Sequence, residues 1–283
     1  MIEIITTPWK RRPENGASTR HRFAIGDIHG HADLLQSLLG HIEALPARGA
    51  RDIIFTGDIF DRGPENFRAL DLALGAAEIC DRRIILPGNH EAYMLEAFSG
   101  EDDAKHWWGV AGGRSVMAEV DPQDRMSLAD QVRAVRERLP DGHEDMLRRS
   151  RGWVCEDDLF FVHAGIKNGA MRKEILDSDL IGGARKYGSS HWSLVRSGFL
   201  TSTIGWDLNV SGRPWRGPML VIHGHSIEAD APPISPDDLL RSSDHVEDRR
   251  RINIDVGSYK FRTLACVEFR DRSYRLHAVT ERL

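Results

Sequence analysis

Cysteine is scarce in this chain. Its three residues, Cys80, Cys155 and Cys266 in 283 positions, are scattered and odd in number. That excludes a disulfide framework and offers no paired zinc-ligand spacing, so they are expected as buried thiols of a reducing compartment. Long apolar runs are missing as well. None approaches the roughly 18–20 residues of a membrane span. The opening MIEIITTPWKRRPENG has no apolar stretch of the signal-peptide kind. A cytoplasmic protein with no membrane partner is the expectation. There is no basic excess: 38 Lys and Arg stand against 43 Asp and Glu, a net charge of −5. That gives no electrostatic footprint for nucleic acid. What remains is ordinary for a globular chain with a full core, 41% hydrophobic and 29% charged,.

Against this plain background the stretch GDIFDRGP, residues 57–64, stands out. Asp58, Asp61 and Arg62 fall within five positions, directly after the apolar Ile53, Ile54 and Phe55. Two carboxylates and an arginine at a strand end suit metal and phosphate better than a core. Similar stretches flank it. GDIHG (26–30) follows Phe23, Ala24 and Ile25, and GNHE (88–91) follows Ile84, Ile85 and Leu86. Asp27, Asp58 and Asn89 are 31 residues apart in turn (58 − 27 and 89 − 58). One strand–helix–strand unit takes about 30 residues, so three strand ends can reach one sheet edge.

Periodicity supports that frame. Strands are expected over 22–26, 52–56 and 83–86. A helix between the first two carries Leu34, Leu35, Leu38, Leu39 and Ile42 on one face, and the next buries Phe67, Leu70 and Leu74. Residues 92–150 show helical spacing and no strand, so they read as an inserted helical segment. Strands resume at 153–155 and 159–162, joined by a turn at Asp157 and Asp158. The second ends in His163-Ala164-Gly165. Another over 219–222 runs into HGHS, and three last strands are expected at 251–256, 263–269 and 274–279, antiparallel by their close spacing. The proline-, aspartate- and serine-rich stretch 230–248 predicts no packed structure, and the basic run Arg249–Arg251 a solvated strand start. Residues 1–20 are expected as a short, loosely held arm, with one catalytic domain over 21–283.

Each motif alone is weak. Gly-Asp after a strand is usually turn chemistry, and a histidine there is usually structural. Five strand ends presenting Asp27, His29, Asp58, Asn89, His90, His163 and His225 are another matter. Carboxylate, imidazole and amide together suit a borderline divalent metal such as manganese, iron or zinc. The set is too rich for one ion and about right for two that share a bridging carboxylate.

GDIHG, GDxxDRG, GNHE, HAG and GH, in this order over about 22–269, resemble the calcineurin-like metallophosphoesterases. The nearest branch is the bacterial-type serine/threonine phosphoprotein phosphatases. SLVRSGFL (193–200), RINIDVGS (251–258) and WWGVAGG (107–113) are similar to further segments of that family. The resemblance implies a four-layer αββα sandwich with central mixed β-sheets and a helical insertion. It implies two divalent ions, manganese foremost, with Asp27 and His29 on the first and Asn89, His163 and His225 completing the second. Asp58 bridges them. His90 becomes the general acid paired with Asp61, and Arg62, Arg196 and Asn89 face the phosphate. A hydroxide held between the ions attacks phosphorus. The implied partner is a phosphoprotein or other phosphomonoester.

In HGHS the family pattern selects His225 as the ligand and leaves His223 to packing. Ile227 stands where related nucleases carry a further histidine, which favours monoester chemistry. The rivals are a dinucleoside polyphosphate (diadenosine tetraphosphate) hydrolase, whose first motif usually has glutamine where His29 stands, and a small-molecule phosphatase; a non-catalytic binding protein would be marked by a lost ligand, and none is missing. Arg213 and Arg216 are expected in a solvated loop, the tryptophans at 107, 108, 153, 192, 206 and 215 as core or groove walls, and Asp255 as structural.

Overall fold

The polar motifs of this chain sit at strand ends, and the fold brings those ends to one place. In a computed structural model, residues 1–12, 18–46, 49–167, 173–203 and 220–282 are described. The strands are β1 (Ile2–Thr6), β2 (Lys10–Arg11), β3 (Ser18–Ile25), β4 (Arg51–Phe55), β5 (Arg82–Ile85), β6 (Trp153–Glu156), β7 (Leu159–Val162), β8 (Leu220–His223), β9 (Asp244–His245), β10 (Arg251–Asn253), β11 (Thr263–Asp271) and β12 (Ser273–Glu281). They form two mixed sheets. The first runs β1-β12-β11-β3-β4-β5 with β2 beside β12, and the second β6-β7-β8-β10-β9.

Period-two alternation decides the layers. Phe23, Ile25, Ile53 and Phe55 face out, onto Leu34, Leu35, Leu38 and Ile42 of α1 (Ala32–Ala44) and Phe67 and Leu70 of α2 (Asn66–Gly75). Their neighbours Ala24 and Ile54 face in, meeting Leu159, Phe161, Leu220, Ile222 and Ile252 of the second sheet. That sheet's outer face carries Phe160, Val162 and Val221, packed with Trp153, Leu180 and Trp192. The result is an αββα sandwich. Each fully buried Phe or Ile in it contributes about 1.5–3 kcal/mol.

Residues 89–149 are helical, as α3 (Asn89–Ala97), α4 (Asp102–Trp108), a π-helical turn (Gly109–Gly113), α5 (Arg114–Val120), α6 (Leu128–Arg138) and α7 (His143–Arg149). Short helices α8 (Lys173–Leu176) and α9 (Leu180–Tyr187) follow β7. Among the described residues no helix is long and apolar enough to cross a membrane.

Four expectations are corrected. The start of the N-terminal arm is not loose: β1 pairs with β12 from Ile2↔Glu281 to Thr6↔His277, because that hairpin's outer edge is open. The 230–248 stretch is packed, as α10 (Pro236–Ser243), β9 and α11 (Val246–Arg249), with Leu239 and Val246 buried. Its composition is a helix start: the Ser235 hydroxyl accepts the Asp238 N–H and Pro236 opens the first turn,. Strand β10 does not join β11 and β12. It lies parallel to β8 in the other sheet, and 254–262 cross between sheets. Arg251 is fully buried, its guanidinium held by Glu228, His223 and the Leu200 carbonyl.

Two buried histidines away from the strand ends set a pH dependence. Burial pushes His143 and His191 down to about 4, helped in His143 by Arg83 and opposed in His191 by Asp179. Below about pH 6.5 the unfolded chain therefore binds protons that the native chain does not. Their contribution to stability should be full at pH 7 and fall as pH drops from about 6.5 towards 4, by on the order of 1 kcal/mol per pH unit per histidine, while the buried carboxylates Asp27, Glu91 and Asp255, all raised, contribute with the opposite sign over the same window. The difference in urea midpoint between the native protein and a His143→Gln, His191→Gln variant isolates the histidine part, and a difference that does not change with pH contradicts it.

Candidate active site

Register levels the strand ends. Ile25 pairs with Phe55 and Phe55 with Ile85 in the first sheet. Phe161 and Ile252 both pair with Ile222 in the second. All six strands run parallel to their partners here, so both sheets present their carboxyl ends, where α/β folds place ligands. The two edges meet: the Asp27 carboxylate accepts the His225 backbone N–H at 3.1 and 3.0 Å.

The loops at these ends are strained. His29, Asp58, Asp61, Arg62 and His225 all have positive φ, 48° to 76°. Non-glycine residues there cost about 1–3 kcal/mol each and cluster at functional sites. Glu91 holds the conformation. Its buried carboxylate accepts the N–H groups of Gly88 (2.7 Å), Asp58 (2.9 Å) and Ile59 (2.9 Å). Burial and the nearby Asp58 push Glu91 up to about 7. A Cβ on Gly88 would strike the Asp58 carboxylate, so β4 and β5 approach this closely only with glycine there. Glu91→Gln points one amide N–H₂ at N–H donors. It should cost about 1–3 kcal/mol of stability and about tenfold or more in kcat, read by urea unfolding and steady-state kinetics.

Four buried imidazoles surround Asp58, and their outer hydrogen bonds fix which nitrogen faces it. The Nδ1–H of His29 donates to the Phe60 carbonyl at 2.9 Å, which leaves Nε2 3.7 Å from Asp58 Oδ2. The Nδ1–H of His163 donates to the Thr56 carbonyl at 2.9 Å. Its Nε2 lies 3.5 Å from Asp58 Oδ2 and 3.0 Å from Asn89 Oδ1. His225 Nε2 is buried with no hydrogen-bond partner among the described residues. Two groups of closely spaced donors result, His29–Asp58–His90 and Asp58–His163–His225, with Asp58 common to both.

The charges agree with a cation site. Burial would raise Asp58, but charge on His163, His90, His29 or His225 pulls it below the usual carboxylate range, while burial holds His29, His163 and His225 themselves below the usual imidazole range, in the neutral form that ligates metal. Burial, then Asp255 and Asp58, drive Asp27 well up, and burial drives Asp255 to about 7. Asp27, Asp58, Glu91 and Asp255 are buried together, and among the described residues no Lys or Arg hydrogen-bonds Asp27 or Asp255, although Arg62 and Arg196 lie near enough to pull Asp255 down. Divalent cations fit such a donor set.

His90 is arranged differently. Its Nδ1–H donates to Asp61 Oδ2 at 2.6 Å, and Asp61 also accepts the Trp108 indole N–H at 2.9 Å. Burial acts to lower His90, but Asp58 and Asp61 outweigh it and the pKa ends above its ordinary value. Yet the Arg62 Nη2 donates to His90 Nε2 at 2.9 Å, a contact that only the neutral ring accepts. Arg62 thus opposes protonation of His90 while Asp58 and Asp61 favour it. Arg62 is fixed from behind. Its N–H donates to the Gly112 carbonyl at 3.1 Å, a geometry reached because Gly112 has φ 141°.

A cavity of about 250 Å³ opens over the site, lined by His29, Asp58, Asn89, His90 and His225, with Arg62 and Arg196 among its cations. Asp27 is neither among its lining residues nor in the two close-spaced donor groups. His223 does not face it, since its Nε2 accepts from Arg251 at 3.1 Å. Sequence reasoning missed five contributors: Glu91, Trp108, Asp255, Tyr259 and Lys260. Asp255 was readable as a strand-end carboxylate after β10, while Tyr259 stacks under Arg62 at 4.0 Å with no prior signal. A larger cavity, about 350 Å³, lies in the helical insertion and contains none of the candidate ligands. Arg213, Arg216, Trp206 and Trp215 lie outside the described residues.

A family model described as calcineurin-like phosphoesterase matches residues 22–228. The chain belongs to that family. Among curated phosphoesterase relatives, serine/threonine-protein phosphatase 2 of Escherichia coli (strain K12) is 38% identical over 99 residues, 35% of this chain and 41% of that protein. The chain thus spans under half of that relative and of its Salmonella typhimurium counterpart (47%). An asymmetrical bis(5'-nucleosyl)-tetraphosphatase of Bacillus velezensis is 26% identical over 243 residues, 82% of each chain. A solved cold-active protein tyrosine phosphatase superposes with TM-score 0.52 over 92% of this chain and 77% of its own, at 15% identity, a likeness of fold alone. This calcineurin-like phosphoesterase therefore has the hydrolase fold and a donor set for divalent metal, with relatives named for two substrate classes.

Proposed function

We propose that the protein is a metal-dependent phosphomonoester hydrolase acting on phosphoserine and phosphothreonine. The observation that carries this reading is the buried His90–Asp61 pair. A serine or threonine alkoxide is a strongly basic leaving group and needs a proton as it departs. A polyphosphate leaves as a stable anion and needs it far less.

Asp27 and His29 would hold one divalent ion and Asn89, His163 and His225 a second, with Asp58 between. Such ions, manganese foremost and iron or zinc also suited, supply Lewis-acid charge and a water acidified towards neutral pH. The chain's own groups do the rest. Arg62 and Arg196 take phosphate oxygens, Arg62 as a planar fork. As the phosphate draws Arg62 away from His90, Nε2 is freed to carry the proton that goes to the leaving oxygen. Asp61 keeps the ring oriented and favours its charged form, and Trp108 keeps Asp61 in place.

A second reading, dinucleoside polyphosphate hydrolysis, is favoured by the 82% coverage of the Bacillus velezensis relative and by a third cation, Lys260, at the cavity. Turnover of a phosphoserine peptide against diadenosine tetraphosphate, with manganese, separates them. The monoesterase reading expects kcat/KM to favour the peptide. A preference for the dinucleotide of about tenfold or more reverses the assignment.

A further inference from the structure

Two adjacent tryptophans have opposite fates. Trp108 is fully buried and holds Asp61, whereas Trp107 is 54% exposed. An exposed tryptophan beside a filled core contributes nothing to that core, and it marks a contact surface when other apolar groups join it. Val110, three residues on, is 62% exposed. The ring of Trp107 meets Tyr93 edge to face, centroids 6.1 Å apart at 85°. Tyr93 in turn lies 5.6 Å from the His90 ring, at 65° to it. His90, Tyr93 and Trp107 thus form a continuous aromatic line from the proton donor to solvent.

We propose that Tyr93, Trp107 and Val110 form the surface that reads the leaving group, and that preferred substrates carry a bulky apolar or aromatic side chain next to the phosphorylated residue. This rests on the phosphoserine/phosphothreonine reading above. The leaving oxygen must face His90 to receive its proton, so the chain attached to it emerges on the side of His90 where Tyr93 packs. A neighbouring Phe or Leu there covers Trp107 and Val110 and removes both from water. A small phosphate ester ends before it reaches them. Trp107 and Val110 are specificity residues and touch no reacting atom.

The test compares kcat/KM for two phosphoserine peptides, one with Phe and one with Gly beside the phosphoserine, with free O-phosphoserine as the basal substrate. The native enzyme should prefer the Phe peptide by about tenfold. Trp107→Ala should cut that preference to about twofold or less and leave O-phosphoserine turnover unchanged, and Trp107→Phe should retain most of it. Peptide turnover without a preference in the native enzyme, or a preference that survives Trp107→Ala, overturns the proposal alone. Turnover of diadenosine tetraphosphate with none of either peptide overturns the underlying reading and this proposal with it.

Discussion

Asp58→Asn lowers kcat on a phosphoserine peptide by about a thousandfold or more, while the protein remains folded. Asp58 is the one side chain shared by both donor groups, and four imidazoles converge on it. The amide keeps the shape and still accepts the His90 backbone N–H, now 3.0 Å from Oδ1. It loses the negative charge and one anionic oxygen. Several kcal/mol of transition-state stabilisation depend on cations held at that point, and each 1.36 kcal/mol is tenfold in rate. The effect on stability is a difference of opposing parts: Asp58 is itself held below the usual carboxylate range in the native state, while its charge helps push Asp27, Glu91 and Asp255 up. Rates measured on a preparation whose urea transition shows it folded check the prediction. Turnover within tenfold of the native enzyme would contradict the shared-ligand role.

The second large effect is His90→Asn, and its size should depend on the leaving group. On a phosphoserine peptide kcat should fall by about a hundredfold to ten-thousandfold, the usual contribution of a positioned acid. On p-nitrophenyl phosphate, whose phenolate leaves unaided, the loss should stay within about tenfold. The contrast matters because His90 also sits in one of the metal-donor groups. A metal ligand would affect both substrates alike, and a proton donor affects the basic leaving group selectively. Equal losses on the two substrates would remove His90 from its role as acid.

The parallel half of the fold was legible because local and global signals agree. Apolar triplets at 23–25, 53–55 and 84–86, 31-residue steps and polar strand ends all specify parallel units, and β3, β4 and β5 follow. The candidate ligands were legible for the same reason, as residues at fixed offsets from those strands. What was not legible depends on contacts between distant segments. Glu91 reads as a helix-start acid, and only the fold shows its carboxylate closing on the loop of Asp58. The role of Trp108 requires the insertion to fold back on Asp61 across 47 residues. Arg251 looked solvated because its neighbours are charged, but Glu228, 23 positions earlier, meets it inside the second sheet. Residues 236–243 were lost to a composition argument, although Ser-Pro-Asp-Asp is itself a helix-start signal,.

If Asp58 joins two cation sites in one catalytic centre, manganese titrated into chelator-stripped protein should saturate at about two ions per chain. With bound metal and phosphopeptide turnover measured at each step, turnover should appear as the second ion is bound and be lost again on chelation. Full turnover in the stripped protein, or saturation with full activity at a single ion, would contradict it.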